Sequence, residues 1–236
     1  MPLRPVHEPR RDDCPWCGSK RLHTRLRAPD LRLRRPGTFV LDECQDCAHA
    51  FQNPRLTPEG LELYAAEENG PVDHARLRAT ARTMLRFGEP ESWLDVGTGD
   101  ARFPRTARRL FPYTSIDGVD PSPRIAYARH LEHVEEAYAG HVTDPHITTI
   151  LRGRYDVVTL LDRRSPVPDP RTELPAALSL LRPGGLLLVE AAPRESYELR
   201  RRLEAQDCTI VAASRHVLDR LPYTYRIIAR RPRSAA

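Results

Sequence analysis

Lysine is all but missing from this chain. Lys20 is the only one among 37 basic side chains, so nearly every positive charge is a guanidinium. Long apolar runs are missing as well, and no stretch reaches the roughly 18 apolar residues that a bilayer-spanning helix needs. Residues Met1 to Asp13 are charged and contain prolines, without the apolar centre of a secretion signal, so the expected setting is the cytoplasm. Aromatic residues are few, at 6%, which provides thinly for base stacking on a nucleic acid. No segment repeats, which excludes a solenoid.

What is present is more pointed. Proline is plentiful, with 23 residues, about twice its usual share, and much of it falls in loops that it would stiffen. A chain of 236 residues can bury a sizeable core and carry a small appendage. The basic residues are interleaved with 32 acids, leaving a net charge of +5. A guanidinium can grip phosphate with two bonds, but this interleaving reads better as a solvated surface.

Cysteine is scarce yet patterned: Cys14-Pro15-Trp16-Cys17, Cys44-Gln45-Asp46-Cys47, and Cys208 alone. Two Cys-x-x-Cys pairs supply four soft thiolates that can converge tetrahedrally on Zn²⁺. The expected ligands are Cys14, Cys17, Cys44 and Cys47. Four cysteines leave no open position, so the zinc is expected to be structural. Disulfides are the competing reading, disfavoured in a reducing compartment. His49 is a spare imidazole not counted among the ligands. Leu22, Leu26, Leu31 and Leu33 alternate with polar neighbours, and Thr38–Leu41 returns after Pro36-Gly37, so a β-ribbon is expected between the pairs. It carries Lys20, Arg21, Arg25, Arg27, Arg32, Arg34 and Arg35 against Asp30 alone. That cluster could meet nucleic acid phosphates, but with only Trp16 and Phe39 nearby the solvated face of a ribbon is the better reading.

The richest stretch is Trp93-Leu94-Asp95-Val96-Gly97-Thr98-Gly99-Asp100-Ala101. Its apolar run enters Gly-Thr-Gly, after which Phe103, Ala107, Leu110 and Phe111 recur at helical spacing. The expected arrangement is strand, glycine turn, helix, with Pro104 tolerated in the helix's first turn. Glycines there let a ligand approach the backbone closely. Ile116-Asp117-Gly118-Val119-Asp120-Pro121 follows as a second strand ending in Asp120, placed to accept hydrogen bonds from a ribose diol. Further strands are expected near Ala137–Ala139, Tyr155–Leu161, Leu186–Glu190, Thr209–Ala213 and Tyr225–Ala229. Helices are expected over Asp73–Arg86, from Ser122 or Pro123 through Arg129, along Leu174, Ala177, Leu178 and Leu181, and over Glu195–Ala205. This alternation predicts an α/β fold: a doubly wound, mostly parallel seven-stranded sheet covered on both faces.

Leu94-Asp95-Val96-Gly97-Thr98-Gly99 with Val119-Asp120 resembles the first two motifs of class I S-adenosylmethionine-dependent methyltransferases. Leu180-Leu181-Arg182-Pro183-Gly184-Gly185-Leu186 is similar to that family's turn into its fifth strand. The family pattern Asp-x-Gly-x-Gly-x-Gly is kept except at its last glycine, where this chain has Ala101. Asn53-Pro54-Arg55, Thr57 and Tyr64 are similar to the linker of family members that carry a zinc ribbon, many of them tailoring enzymes for small metabolites. The resemblance implies a Rossmann-like fold, with Asp95, Gly97, Thr98, Gly99, Asp120, Pro121, Asp144 and Leu161 at the S-adenosylmethionine site. Related enzymes often carry Glu-His where this chain has Ser165-Pro166, which removes the expected base. Three readings follow: proximity catalysis, a base from elsewhere, or cofactor binding without transfer. Asp162, at the exit of the fourth strand, is the first candidate base, and His141 the second.

The expected organisation is a zinc ribbon over 1–53, a linker with helices over 54–90 and a cofactor-binding domain over 91–236. The expected activity is methyl transfer to a small-molecule acceptor in biosynthesis. An RNA-base methyltransferase using the basic ribbon, and a non-catalytic cofactor-binding protein, are the alternatives.

Overall fold

The computed structural model describes residues 6–29, 38–57, 59–60, 71–161, 170–191, 196–216 and 224–233. The chain forms two compact units, Met1–Glu67 with Pro168–Arg171, and Glu68–Val167 with Thr172–Ala236.

The first unit contains a three-stranded antiparallel sheet: β1 (Leu22–Pro29), β2 (Thr38–Cys44) and β3 (Ala50–Gln52), in that order. The ribbon is present, with Leu22 opposite Cys44 and a register slip between Thr24 and Leu26. Leu31, Leu33 and the Pro36-Gly37 turn lie outside the described residues. Trp16, Val40 and Leu56 are buried here, but the most enclosed side chain beside the cysteines is Asp42, at 0% exposure. Its carboxylate accepts from Arg10 (2.7 Å), Thr24 (2.9 Å) and Asn53 (2.7 Å). Asn53 also takes the Arg11 N–H and donates to the Arg11 carbonyl, both at 2.8 Å, pinning the N-terminal segment to β2. A buried carboxylate is tolerated because every one of these donors satisfies it. Thr57 accepts the Gly60 N–H at 3.1 Å, the bond expected of a helix N-cap.

The second unit runs α1 (Pro71–Met84), a short 3₁₀ turn, β4 (Ser92–Val96), α2 (Arg102–Arg108), β5 (Ser115–Asp120), α3 (Arg124–His130), β6 (Ala137–Ala139), α4 (Pro145–Leu151), β7 (Tyr155–Leu160), α5 (Pro170–Leu180), β8 (Leu181–Ala191), α6 (Ser196–Glu204), β9 (Thr209–His216) and β10 (Thr224–Arg230). The seven strands form one sheet in the order β6-β5-β4-β7-β8-β10-β9. The pairs from β6 to β8 are parallel, and β10 runs antiparallel between β8 and β9. The chain winds outward through β4, β5 and β6, then returns to lay β7 beside β4. That reversal is the switch point of the sheet, and α/β sheets take their ligands outside the carboxyl ends of the strands at such a point.

Why β4 lies at the centre follows from its composition. Trp93, Leu94 and Val96 are buried on both faces, as the middle strand of a covered sheet requires. Leu77, Ala81 and Met84 of α1, at i, i+4 and i+7, pack with Trp93, Phe103, Phe111, Leu188 and Ile228 in the main core cluster. One expectation is corrected. Leu181 belongs to β8 rather than to the preceding helix, and pairs with Tyr155. The register then jumps so that Val157 faces Leu186, with Arg182 to Gly185 accommodated in the irregularity; Gly184 sits at φ +81°, where a side chain would be strained. Among the described residues, no helix is long and apolar enough to cross a membrane.

Candidate active site

The ends of β4 and β5 lock together through their backbones. The Gly97 and Thr98 N–H groups both point at the Val119 carbonyl, at 2.9 and 3.3 Å. Gly97 and Gly99 have φ of +76° and +54°, so the chain turns twice through conformations that glycine adopts without penalty. Ala101 takes the same left-handed conformation at φ +59°. Its methyl is fully buried with Ala128 and Val134, so packing offsets a conformation costing about 1–2 kcal/mol for a residue with a Cβ. The turn that the family builds with glycine is thus kept with alanine.

Asp120, 6% exposed, receives the Gly99 N–H on Oδ2 at 2.8 Å and the Ser122 N–H on Oδ1 at 2.8 Å. The Ser122 hydroxyl donates to Oδ1 as well. A carboxylate has about four acceptor positions, so one on Oδ2 stays open to a further donor. Thr98 is buried; its hydroxyl donates to the Asp95 carbonyl at 2.5 Å and lies over Gly118. A Cβ at Gly118 would come within 2.8 Å of that hydroxyl and 2.9 Å of Ile125, so this glycine is needed for the turn to seat on β5. Asp95, 4% exposed, is aligned across the strands by Thr159, which donates to Oδ1 at 2.5 Å; the Trp93 indole in turn donates to Thr159 at 3.3 Å. The Arg124 guanidinium lies 3.9 Å from where a Gly99 Cβ would be.

Asp95, Gly97, Thr98, Gly99 and Asp120 are therefore brought into one constellation, with Pro121 exposed at its rim. Asp144 and His141 meet each other in a separate turn after β6: the His141 N–H donates to Asp144 Oδ2 at 2.8 Å, against Gly140 at φ +147°. Leu161 packs into the main core cluster. Asp162, with Arg163, Arg164, Ser165 and Pro166, lies outside the described residues, and so does Tyr64. Thr159, Gly118 and Ser122 were not singled out in the sequence. Their roles appear only when the strands are laid side by side, though a glycine inside a strand is itself a signal of close approach.

A second buried network adjoins the sheet. Glu190 of β8 accepts from Arg226 of β10 at 3.0 Å and from Thr80 of α1 at 2.7 Å, and it pairs with Arg76. Side-chain exposures of 2% for Glu190 and 4% for Arg226 mean that both charges are withdrawn from water and hold each other.

In the N-terminal unit the sulfurs of Cys14, Cys17, Cys44 and Cys47 all lie within 4.8 Å of one another. Cys14 and Cys47 are 3.7 Å apart and Cys17 and Cys44 3.5 Å. A tetrahedral ion with bonds of about 2.3 Å needs sulfurs about 3.8 Å apart, so the donor set can hold such an ion. The two knuckles are alike: the Gly18 N–H closes on the Cys14 carbonyl and the Ala48 N–H on the Cys44 carbonyl, both at 2.9 Å. Burial pushes the Cys14 thiol up to about 11 and raises Cys47 also. Burial opposes ionisation of Cys44 too, but the Cys47 and Asp46 N–H groups outweigh it and lower its pKa. Metal uptake at such a site releases protons. His49 is stacked between Trp16 and Phe51, with ring centroids at 5.4 and 5.6 Å.

A doubly wound sheet with a glycine turn gripped by an acid at the next strand's end defines a nucleoside-binding α/β protein. The chain belongs to the methyltransferase-domain family, whose model matches residues 68–223, and so to the class I S-adenosylmethionine-dependent methyltransferases. Its fold is similar to that of the Burkholderia thailandensis 1,6-didemethyltoxoflavin N1-methyltransferase bound to 1,6-didemethyltoxoflavin and S-adenosylhomocysteine. The two share 21% identity at a TM-score of 0.57, over 74% of this chain and 86% of that one. The N-methyltransferase NodS of Bradyrhizobium japonicum with S-adenosylhomocysteine is 17% identical, with a TM-score of 0.58 over 74% and 97%. Magnesium protoporphyrin IX methyltransferase of Synechocystis with bound S-adenosylmethionine is 16% identical, with a TM-score of 0.54 over 67% and 79%. No curated protein matches the chain.

Proposed function

We propose that the protein methylates a small-molecule acceptor, and that its N-terminal unit is built round a structural zinc ion. The observation that carries the reading is the joining of two motifs in one place: the Gly99 N–H and the Asp120 carboxylate are bonded to each other at the carboxyl ends of adjacent strands. In this reading Asp120 accepts from the ribose diol through its open Oδ2 position. Gly97 and Gly99 let the backbone lie close against the cofactor. Asp95, held by Thr159, fixes the turn beside the methionine end, Asp144 serves the adenine, and Thr98, Pro121 and Leu161 complete the cofactor site. When bound, S-adenosylmethionine would supply an already activated methyl for the acceptor's lone pair. The protein's contribution is then chiefly positioning, with Asp162 taking a proton where the acceptor must lose one and His141 the second candidate.

Three things support a small acceptor. The toxoflavin and magnesium protoporphyrin relatives act on small molecules. Two of the ribbon's described cations, Arg21 and Arg25, are taken up by Asp46 and Glu43, at 2.6 and 3.0 Å, rather than held ready for phosphates. The linker resemblance points to tailoring enzymes. Zinc is supported by the all-sulfur donor set and its spacing.

The test uses methyl-labelled S-adenosylmethionine with the zinc-loaded protein and a cell extract separated into small-molecule and RNA fractions. Label is expected in the small-molecule fraction. Asp162→Asn should lower kcat by about 10²–10⁴-fold with cofactor affinity unchanged. Label confined to RNA would overturn the acceptor class. Metal analysis is expected to find about one zinc per chain.

A further inference from the structure

The ribbon was where the sequence concentrated positive charge, and part of that charge is neutralised among the described residues. Arg21 and Arg25 are paired as above, and Arg10 is held by Asp42. A different face keeps its charge. On α1, His74, Arg78 and Arg82 recur at i, i+4 and i+8 and form one stripe, and Arg105 of α2 and Arg109, the residue that caps its end, stand at i and i+4. Between these stripes lies a cavity of about 220 Å³, lined by His74, Arg78 and Arg109. A second, of about 240 Å³, is lined by Arg105, Arg108, Arg109 and His133. Arg109 borders both, so the two hollows form one strip. The single acid in either lining is Glu132.

The cations of this strip are short of counter-charge. Arg108 pairs with Glu135 at 3.1 Å, but Arg78, Arg105 and Arg109 have no carboxylate partner among the described residues. All three are exposed. The crowding shows at His133: burial, and then the charges of Arg105 and Arg108, lower its pKa from 6.5, against a weaker opposite pull from Asp100. Like charges held together in a hollow repel each other and create a local positive potential that an anion relieves.

Position separates the strip from the methyl-transfer site. Arg108 and Arg109 lead into β5, and Glu132 and His133 lead toward β6, at the edge where the parallel strands begin. The glycine turn lies at the opposite edge, where β4 and β5 end. An anion bound here is therefore not the cofactor.

We propose that this strip is a docking surface for the sugar–phosphate backbone of a nucleic acid, with two successive phosphates seated in the two hollows about Arg109. Guanidinium groups suit the task because each can meet phosphate oxygens with two parallel bonds. An acidic protein would present the same charge, but a protein interface is centred on apolar anchors. The linings offer only Leu110 for that. A phosphate backbone needs no apolar centre. The linings also lack aromatics, so the contact reads charge and spacing rather than base identity.

The experiment titrates a fluorescein-labelled 20-nucleotide single-stranded RNA into the zinc-loaded full-length protein and follows anisotropy across a salt series. Three proteins are compared: wild type, Arg78→Ser/Arg105→Ser/Arg109→Ser, and the ribbon variant Arg21→Ser/Arg25→Ser. Wild type should bind with affinity falling linearly in log salt. The triple variant should lose at least about tenfold in affinity at 0.1 M salt and about 1.4 in slope, two phosphate contacts being worth about 0.7 each on a single strand. The ribbon variant should match wild type. Calorimetry with S-adenosylhomocysteine should give the same affinity for all three, which shows them folded. Arg78→Lys/Arg105→Lys/Arg109→Lys should keep most of the slope.

Four results would overturn the proposal. One is no binding by wild type at 50 mM salt. Others are a triple variant that binds as wild type does, or loss confined to the ribbon variant. The last is competition by polyglutamate as effective as by unlabelled RNA, which would make an acidic polypeptide the partner.

Discussion

The two units solve the same problem with different means. The sheet unit encloses Trp93, Phe103, Phe111, Met84 and a layer of leucines, and its buried charges are a minor part of what it hides. In the ribbon unit, Trp16, Val40 and Leu56 are the buried apolar side chains besides the cysteines among the described residues, and the best-enclosed group is a carboxylate. So little apolar area cannot by itself offset the ordering entropy of the chain. The contrast teaches that the sheet unit is held by its core, whereas the ribbon unit, on the zinc proposal above, would depend on the ion its four sulfurs can hold.

The sharpest way to break that contrast is to deny the four sulfurs the proposed zinc. Chelation, or Cys44→Ser, should unfold the ribbon unit while leaving the sheet unit's core intact, because a structural zinc contributes about 10 kcal/mol or more to such modules. NMR would show it as loss of dispersion confined to ribbon amides. A single cooperative collapse of both units, or no change at all, would erase the distinction.

A smaller effect is expected within the sheet unit. Glu190→Ala leaves Arg226 as a buried charge without its carboxylate and should cost about 3–5 kcal/mol by urea unfolding. Replacing the buried pair itself, as Glu190→Leu/Arg226→Met, should cost less than the single change, since the core can absorb apolar groups of similar size and Arg76 is partly exposed. If the double variant is worse than the single, the network does more than fill space.

The smallest effect concerns Asp117, buried at 6% exposure, with its pKa raised by burial despite bonds from Tyr155 and the Glu136 N–H. The folded state therefore holds its proton to a higher pH than the unfolded state does. Its contribution is favourable below the ordinary carboxylate value of 3.8 and is lost as pH rises toward the shifted one. Asp117→Asn should flatten that loss, seen as a melting-temperature gap that changes in the variant's favour with rising pH in this window. An unchanged gap would mean that the carboxyl is not desolvated.

Much of this was legible in the chain before it was folded. The run from Trp93 to Ala101 combines an apolar strand, glycines and a helical repeat, and each points to the same local structure. The Cys-x-x-Cys pairs are equally plain, because their chemistry is carried by the residues themselves. What stayed hidden depends on partners far apart in sequence. Glu190, Arg226 and Arg76 look like ordinary surface charges until β8, β10 and α1 are brought together. Gly118 is a strand glycine whose necessity comes from Thr98 lying on it. The arginine strip is two helical stripes and a loop, each ordinary alone, whereas the ribbon's arginines were conspicuous in the sequence, and of the described ones Arg21 and Arg25 are paired. Leu181 was assigned to a helix because its spacing continues that helix's apolar face, and only the pairing with Tyr155 shows where the helix stops.

The central claim is that the turn at Gly97–Gly99 and the carboxylate of Asp120 together grip the cofactor. Isothermal titration of the zinc-loaded protein with S-adenosylhomocysteine, wild type against Asp120→Ala, tests it most directly. The account predicts binding by wild type and a loss of about 1.5–3 kcal/mol in the variant, the worth of hydrogen bonds to a charged group. The variant's sheet unit should keep its melting temperature within a few degrees. Equal affinities in the two proteins, or no heat with wild type, would contradict it.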